Sequence, residues 1–395
     1  MQSSITGNGT THVYYNISIT NDDTTGRNKP PQIEFNETRT QPFLSNPSEY
    51  FMSVVRFSLD TAPGLPLFIP QAEIGGNGTD LIYTLTYSYS PDGGVTNYDY
   101  QQRLVYVPQE IEIPQPTAPI SFADLSSPYY WLTSYQWWNF EIFNEALSAG
   151  WAAFKAAYPT ELPAAVYTAQ TPYSQWDTGS NTSTLITPQT CFDQSASGQG
   201  DLAVKLFFNT PMFSLYPSFP SECFGWSNVS NGKNYMIPIK NVGYNTSTDF
   251  LTNITTIATF QEYTTTPLWN PVQSLVFTTA LLPVVPELTA APIRFGDSGS
   301  FISSGNNANL TNVLTDFEVA LTRGSEYLPT VNYVPSSEYR LIDLFGTSPV
   351  NSINVNIFWR NRFGALIPVT LASGANCNIK IMFRRKDFSN LTVGY

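Results

Sequence analysis

The chain has 395 residues, of which only 12% are charged and 14% aromatic, with 30 Pro and 24 Gly. Its net charge of −12 excludes a protein that wraps nucleic acid with its whole surface, because that binding needs a basic face. Scarce Glu, Lys and Arg beside abundant Tyr, Phe, Thr, Val and Ile predict an all-β fold, with Pro, Gly, Asn and Ser supplying its turns.

Alternation of apolar and polar residues opens the chain. In "VYYNISIT", Val13, Tyr15, Ile17 and Ile19 share one face and Asn16, Ser18 and Thr20 the other, the period of a half-buried strand. His12, just before it, is the only histidine, so no His-based metal site exists. Asp22 and Asp23 follow without the spacing of a calcium-binding loop. "YFMSVVRFSLD" places Phe51, Val55, Phe57 and Leu59 on one side. "LIYTLTYSY" does the same with Leu81, Tyr83, Leu85 and Tyr87, before a turn at "PDGG". Glu110 and Glu112 share one face of a predicted short strand; they resemble a hydrolytic carboxylate pair but read as a solvated face.

The middle differs. "TSYQWWNFEIFNEALSAGWAAFKAAYP" predicts the one helix, near 134–158, with Thr133 and Gln136 as a capping box and Pro159 as its stop. Trp137, Phe140, Leu147, Trp151 and Phe154 fall on one stripe. That stripe either covers the end of a sandwich or docks a neighbouring subunit. Residues 1–115 and 266–395 are accordingly expected to form two parts of one antiparallel jelly-roll sandwich. Residues 116–265 are expected to be an insertion, irregular and β, that carries this amphipathic helix.

"RFGDSGSF", at 294–301, raises the question of a serine nucleophile at Ser298. Such a serine needs a general base and a group to orient it. His12 lies in the wrong context, the motif lacks its last glycine, and no Ser-x-x-Lys stands nearby, so the stretch reads as a loop. No phosphate-binding loop or dinucleotide fingerprint occurs. The sequence therefore predicts no catalytic, cofactor or metal site and no enzyme.

Further along, "INVNIFW" sets Ile353, Val355, Ile357 and Trp359 against Asn354 and Asn356, and "IKIMFRR" sets Ile379, Ile381 and Phe383 against Lys380 and Arg384. A hairpin is predicted near Asn361 to Gly364. Arg360, Arg362, Arg384, Arg385 and Lys386 concentrate positive charge near the end of an acidic chain. If the two strands are neighbours, they form a basic patch for nucleic acid or a partner; otherwise local acids such as Asp343 and Asp387 pair with them. Cys191, Cys223 and Cys377 are odd in number and widely spaced, so they make neither a disulfide framework nor a zinc site. The N-terminal residues lack the pattern of a signal peptide, and no apolar run is long enough for a membrane span, so the expected compartment is reducing. Ten Asn-X-Ser/Thr sites would fit a glycosylated secreted protein, a reading opposed by those two features.

Several stretches together resemble the penton, or minor capsid, proteins of polinton-like viruses and virophages. They are "NETRTQPFLSNPSEYFMSVVRFSLDT", "GDSGSFISSGNNANLTNVLTDFEVAL", "SSEYRLIDLFGTSPVNSINVNIFWRNRFGALIPVTL" and "IKIMFRRKDF". The resemblance implies a jelly-roll structural protein forming homopentamers at the vertices of an icosahedral DNA virus capsid, made in the host cytoplasm or a virus factory. It implies a major capsid protein as neighbour. The insertion could then meet a fibre or host receptor, and the basic strands the packaged DNA. The rival expectations are a double jelly-roll major capsid protein forming trimers, and a secreted glycosylated adhesin or carbohydrate-binding sandwich.

Overall fold

The structure is a computed structural model, and it describes residues 12–23, 31–60, 64–111, 113–117, 127–195, 202–226, 229–250, 252–289, 293–295, 301–303, 309–319, 330–334, 340–362 and 364–386. The chain divides into two compact units. One comprises residues 1–66, 271–322 and 327–395; the other comprises 67–270 with 323–326.

The first unit is a jelly-roll sandwich of eight principal strands: β1 His12–Thr20, β2 Glu34–Thr38, β3 Tyr50–Asp60, β4 Val272–Thr278, β5 Val313–Phe317, β6 Thr330–Tyr333, β7 Ser352–Asn361 and β8 Asn376–Arg385. One sheet runs β1-β8-β3-β6 and the other β5-β4-β7-β2, all antiparallel, the two-sheet arrangement of a jelly roll. Alternation explains the inward faces. Val13, Tyr15 and Ile17 of β1 are buried, as are Ile353, Val355, Ile357 and Trp359 of β7 and Ile379, Ile381 and Phe383 of β8. The hairpin after β7 forms as its sequence predicts: the amide of Gly364 donates to the Asn361 carbonyl at 2.9 Å, and Leu366–Pro368 pairs back on β7.

In β3 the expected parity fails. Met52 and Val54 are buried where the sequence suggests Phe51 and Val55, although Phe57 and Leu59 are buried as expected. The reason is a bulge: Lys380 faces Arg56 while Ile381 faces Val54, so Val55 is an extra residue that switches the faces.

The second unit holds two sheets of its own. The five-stranded sheet runs Tyr98–Val105, Asp80–Tyr89, Lys205–Phe208, Tyr235–Ile237 and Glu222–Cys223. The four-stranded sheet runs Thr246–Thr248, Thr255–Phe260, Thr182–Pro188 and Tyr173–Asp177. Residues 67–115, expected in the sandwich, thus belong to this unit instead, because Asp80–Tyr89 pairs with Lys205–Phe208. Neither sheet repeats the order of the sandwich.

The predicted helix is present as an α turn Tyr135–Trp137, a π-helical segment Trp138–Phe143 and an α-helix Asn144–Ala157. Its cap is Ser134, whose hydroxyl accepts from the Trp137 amide, rather than Thr133, which bonds Gln109. The helix lies on the five-stranded sheet, where the Tyr87 hydroxyl donates to the Leu147 carbonyl at 3.0 Å. Gly150 marks the closest approach, since a Cβ there would stand 2.9 Å from Cβ of Gln102.

The π segment has a local cause. Asn144 donates its amide to the Asn139 carbonyl, and this five-residue step brings both side chains to Ser174 on the other sheet. The Asn139 side chain accepts from the Ser174 hydroxyl at 2.9 Å and from the Ser183 hydroxyl at 3.2 Å. Asn144 accepts from the Ser174 amide at 2.6 Å and donates to its carbonyl at 2.8 Å. Gln261 extends the network by accepting from the Ser183 amide at 2.6 Å. Removing one member strands buried partners, so Asn139→Ala should cost about 2 kcal/mol in urea unfolding followed by tryptophan fluorescence. Phe140→Gln, at a position 43% exposed, should change stability by less than about 0.5 kcal/mol.

Candidate functional site: surfaces for assembly

The residues singled out in the sequence separate in space. Leu147, Trp151 and Phe154 are fully buried inside the second unit, so they cannot dock a neighbour as the sequence allowed. Tyr87 stacks against Phe154 at 5.9 Å and meets Trp151 edge-on at 5.3 Å. Phe140 is exposed and Trp137 half-buried, its indole donating to the Val107 carbonyl at 3.1 Å. The buried stripe is instead Trp138, Ile142, Phe143, Ala146, Leu147, Trp151 and Phe154.

The basic cluster is also divided. Arg360 and Arg362 belong to β7 and its turn, whereas Arg384, Arg385 and Lys386 end β8, and these strands lie in different sheets. The single basic edge expected from adjacent strands therefore does not form. Arg360 stands 3.9 Å from Asp316, which also meets Arg340 at 3.6 Å. Arg385 pairs with Glu49 at 3.1 Å and Lys386 with Asp343 at 2.9 Å. Arg362 and Arg384 are engaged as well. Asp387 lies outside the described residues. At partly exposed positions such pairs are worth about 1 kcal/mol or less each, so they orient segments more than they stabilise the fold.

Beside the Lys386–Asp343 pair lies an apolar ledge that the sequence did not announce. The segment after β4 and the segment before β7 bind each other: the Phe345 amide donates to the Pro283 carbonyl at 2.9 Å, and the Val285 amide to the Asp343 carbonyl at 3.3 Å. This pairing turns Leu282, Val284 and Leu344 into the core and leaves Leu281, Val285 and Phe345 outside, each 45–52% exposed. An apolar centre with charged pairs beside it has the anatomy of a protein–protein contact. Its sequence signal was weak, because "ALLPVVP" is apolar throughout and shows no alternation.

Where the sandwich could open, the Tyr15 hydroxyl of β1 donates to the Glu37 carboxylate of β2, tying an edge strand of one sheet to an edge strand of the other. Burial, then the bond to Glu37, pushes the Tyr15 pKa up. In the second unit, Asp99 pairs with Lys233 at 2.6 Å and accepts from Asn231 at 3.1 Å, closing the turn "NGKN" at 231–234 onto the strand Tyr98–Val105. Burial raises the Asp99 pKa, but hydrogen bonds from Lys233, Ser88 and Asn231 outweigh it and hold the carboxyl below its usual range.

Among the described residues no cluster of His, Cys, Asp and Glu could hold a metal ion, and no helix is long and apolar enough to cross a membrane. Asp23 sits in a turn, its amide bonded to Asn21 at 3.1 Å. Glu110 is exposed and outside any strand. Glu112 and the loop around Ser298 lie outside the described residues. Cys377 is buried and its thiol pushed up to about 12, by burial and then by Asp60. Burial also raises the Cys191 thiol.

Comparison with known proteins supplies the context for these surfaces. The family model described as Sputnik minor capsid protein V18/19 matches residues 13–385. Structural protein V19 of Sputnik virophage is 23% identical over 222 residues, which are 55% of this chain and 96% of that protein. The uncharacterized protein V18 of the same virophage is 32% identical over 131 residues, 33% of this chain and 77% of that one. A chain of the 3.5 Å cryo-EM structure of the Sputnik virophage is 25% identical with a TM-score of 0.75, covering 96% of this chain and 99% of its own length. The mavirus penton protein shares the fold at 15% identity and a TM-score of 0.59, covering 95% of this chain and 99% of that chain.

Two outcomes are expected from the titrating groups. The Asp99 pKa is lowered on folding, so its contribution is fully present above the unfolded value of about 3.9 and is lost as pH falls through the lower folded value. Acid unfolding of the second unit should therefore steepen below about pH 4, and Asp99→Asn should remove that part of the pH dependence. Of the three thiols, only Cys223 is exposed, so a thiol reagent should titrate one group in the native chain and three in denaturant.

Proposed function

The chain belongs to the family of Sputnik-type minor capsid proteins V18/19, making it a structural component of the virion and not an enzyme, and on that premise we propose that it closes the icosahedral vertex as a ring of five copies. The ledge of Leu281, Val285 and Phe345 carries this reading. A cyclic ring needs head-to-tail contacts between two different patches on each copy, and a small apolar patch beside ion pairs is suited to one half of such a contact. Each contact of this size is weak by itself. Closure makes the last contact intramolecular, which stabilises the ring without any stronger patch. The major capsid protein is the proposed neighbour around the ring.

The family membership does not favour the rival readings, a trimeric double jelly-roll major capsid protein or a secreted adhesin. Among the described residues there is one sandwich of eight principal strands, and the sheets of the second unit are ordered differently. A genome-facing role for the basic residues loses its premise, since β7 and β8 lie in separate sheets and Arg360, Arg385 and Lys386 each have an acidic partner.

Native mass spectrometry of the purified chain should give the mass of five copies. Phe345→Asp or Val285→Asp should reduce it to single chains while leaving the circular dichroism spectrum and melting temperature nearly unchanged, because both residues are exposed. A trimer, or a pentamer untouched by both substitutions, would count against the reading.

A further inference from the structure

The ledge is one half of a contact, and the same sheet of the sandwich carries a second patch at its opposite edge. The short strand Ile342–Asp343, which leads into Phe345, pairs with Met52 and Phe51 on one side of β3. On the other side of β3 lies β8, and beyond it β1, whose outer edge pairs with no strand among the described residues. Three strand spacings, roughly 14 Å, separate the two patches, so one copy cannot set its own patch on its own ledge.

The patch on β1 is aromatic and basic. Tyr14 is 53% exposed, and the Lys380 ammonium of β8 stands 4.7 Å from the centre of its ring. Lys380 lies between Asn16 of β1 and Arg56 of β3 in the register. The bulge at Val55 is what aims Arg56 at that position. Arg56 is exposed, and neither cation has an acidic partner among the described residues, unlike Arg360, Arg385 and Lys386. Like charges on facing strand positions repel, and an anionic group placed between them would relieve that cost.

The ledge supplies such a group. Glu287 follows Val285 by two residues, is exposed, and forms no ion pair among the described residues. One edge thus offers apolar side chains with an unpaired carboxylate, and the other an exposed ring with two unpaired cations. Copies that carry a net charge of −12 repel at long range, so a contact between them needs local opposite charges of this kind.

We infer that the β1 edge of one copy sits on the ledge of the next, with Tyr14 against Leu281, Val285 and Phe345, and Glu287 between Lys380 and Arg56. The inference rests on the ring proposed above and names the second face of its contact. Two opposite edges of one sheet meeting in this way give a head-to-tail contact, the kind that a cyclic ring requires.

The test uses the full chain with Cys223→Ser, which removes the exposed native thiol. Tyr14→Cys is combined in turn with Leu281→Cys, Val285→Cys and Phe345→Cys and oxidised with glutathione disulfide. At least one pair should give an interchain ladder on non-reducing gels, and no single substitution should. In separate variants, Arg56→Glu with Lys380→Glu should raise the concentration for half assembly about ten-fold, read by mass photometry, and adding Glu287→Lys should bring it back. A five-copy mass with no ladder, or with assembly untouched by the double charge reversal, would overturn the pairing, leave the ring standing and assign the basic patch to an acidic partner outside it. A ladder without a five-copy mass would support the pairing and overturn the number five. Single chains with no ladder would overturn both.

Discussion

The sandwich depends on a seam of aromatic rings between its two sheets. Phe57 of β3 meets Phe277 of β4 edge-on at 4.7 Å and Phe317 of β5 at 5.3 Å, and Phe317 stacks on Tyr333 of β6 at 4.4 Å. A second group joins Tyr15 and Phe383 through Phe43. Neither sheet could stand alone, since each is apolar on one face, and each ring pair adds about 0.5–1.5 kcal/mol beyond the area it buries. The partners of this seam are distant in sequence. Phe57 finds Phe277 only after the whole second unit has been synthesised, so the seam closes late and slowly.

That distance is tolerable because the intervening residues form a unit with its own core. The connection from β3 to β4 must cross from one sheet to the other in any case, so lengthening it breaks no strand pairing. As a flexible loop, roughly two hundred residues would cost about 2–3 kcal/mol more closure entropy than ten. Folding of the insertion around Trp138, Trp151 and the Asn139–Ser174 network removes most of that cost, because the ordered body no longer samples loop conformations. The network also explains why a helix that carries a π segment survives. The distorted turn gives up ideal backbone hydrogen bonds and gains fixed partners for two buried serines.

Much of this was legible in the sequence, and what was not has identifiable causes. Period-2 alternation located β1, β7 and β8 with the correct inward face, because those strands are half-buried and regular. It failed in β3, where one extra residue at Val55 reverses the parity and leaves no compositional mark. The helix was visible from its spacing and its terminal proline. Of its expected stripe, Leu147, Trp151 and Phe154 are buried, but Trp137 and Phe140 are not, because a five-residue turn dictated by Ser174 on another strand cannot be read from the helix itself. Proximity in sequence also misled at the basic cluster. Arg360 and Arg384 lie in strands close along the chain, yet the jelly-roll connectivity places β7 and β8 in opposite sheets. The boundary of the insertion was hidden for the same kind of reason, since Asp80–Tyr89 finds its partner only at Lys205–Phe208.

The scarcity of charge now has a structural meaning. Several of the charged residues in the sandwich are committed to local pairs, Arg385–Glu49 and Lys386–Asp343 among them. Partly exposed pairs of this kind screen readily in salt and contribute little energy, but they fix the two segments that present Leu281, Val285 and Phe345. Geometry rather than strength is what a closing ring requires. A strongly adhesive patch would join copies in arrangements that never close, whereas a weak, well-oriented one is selected only when every copy is satisfied at once.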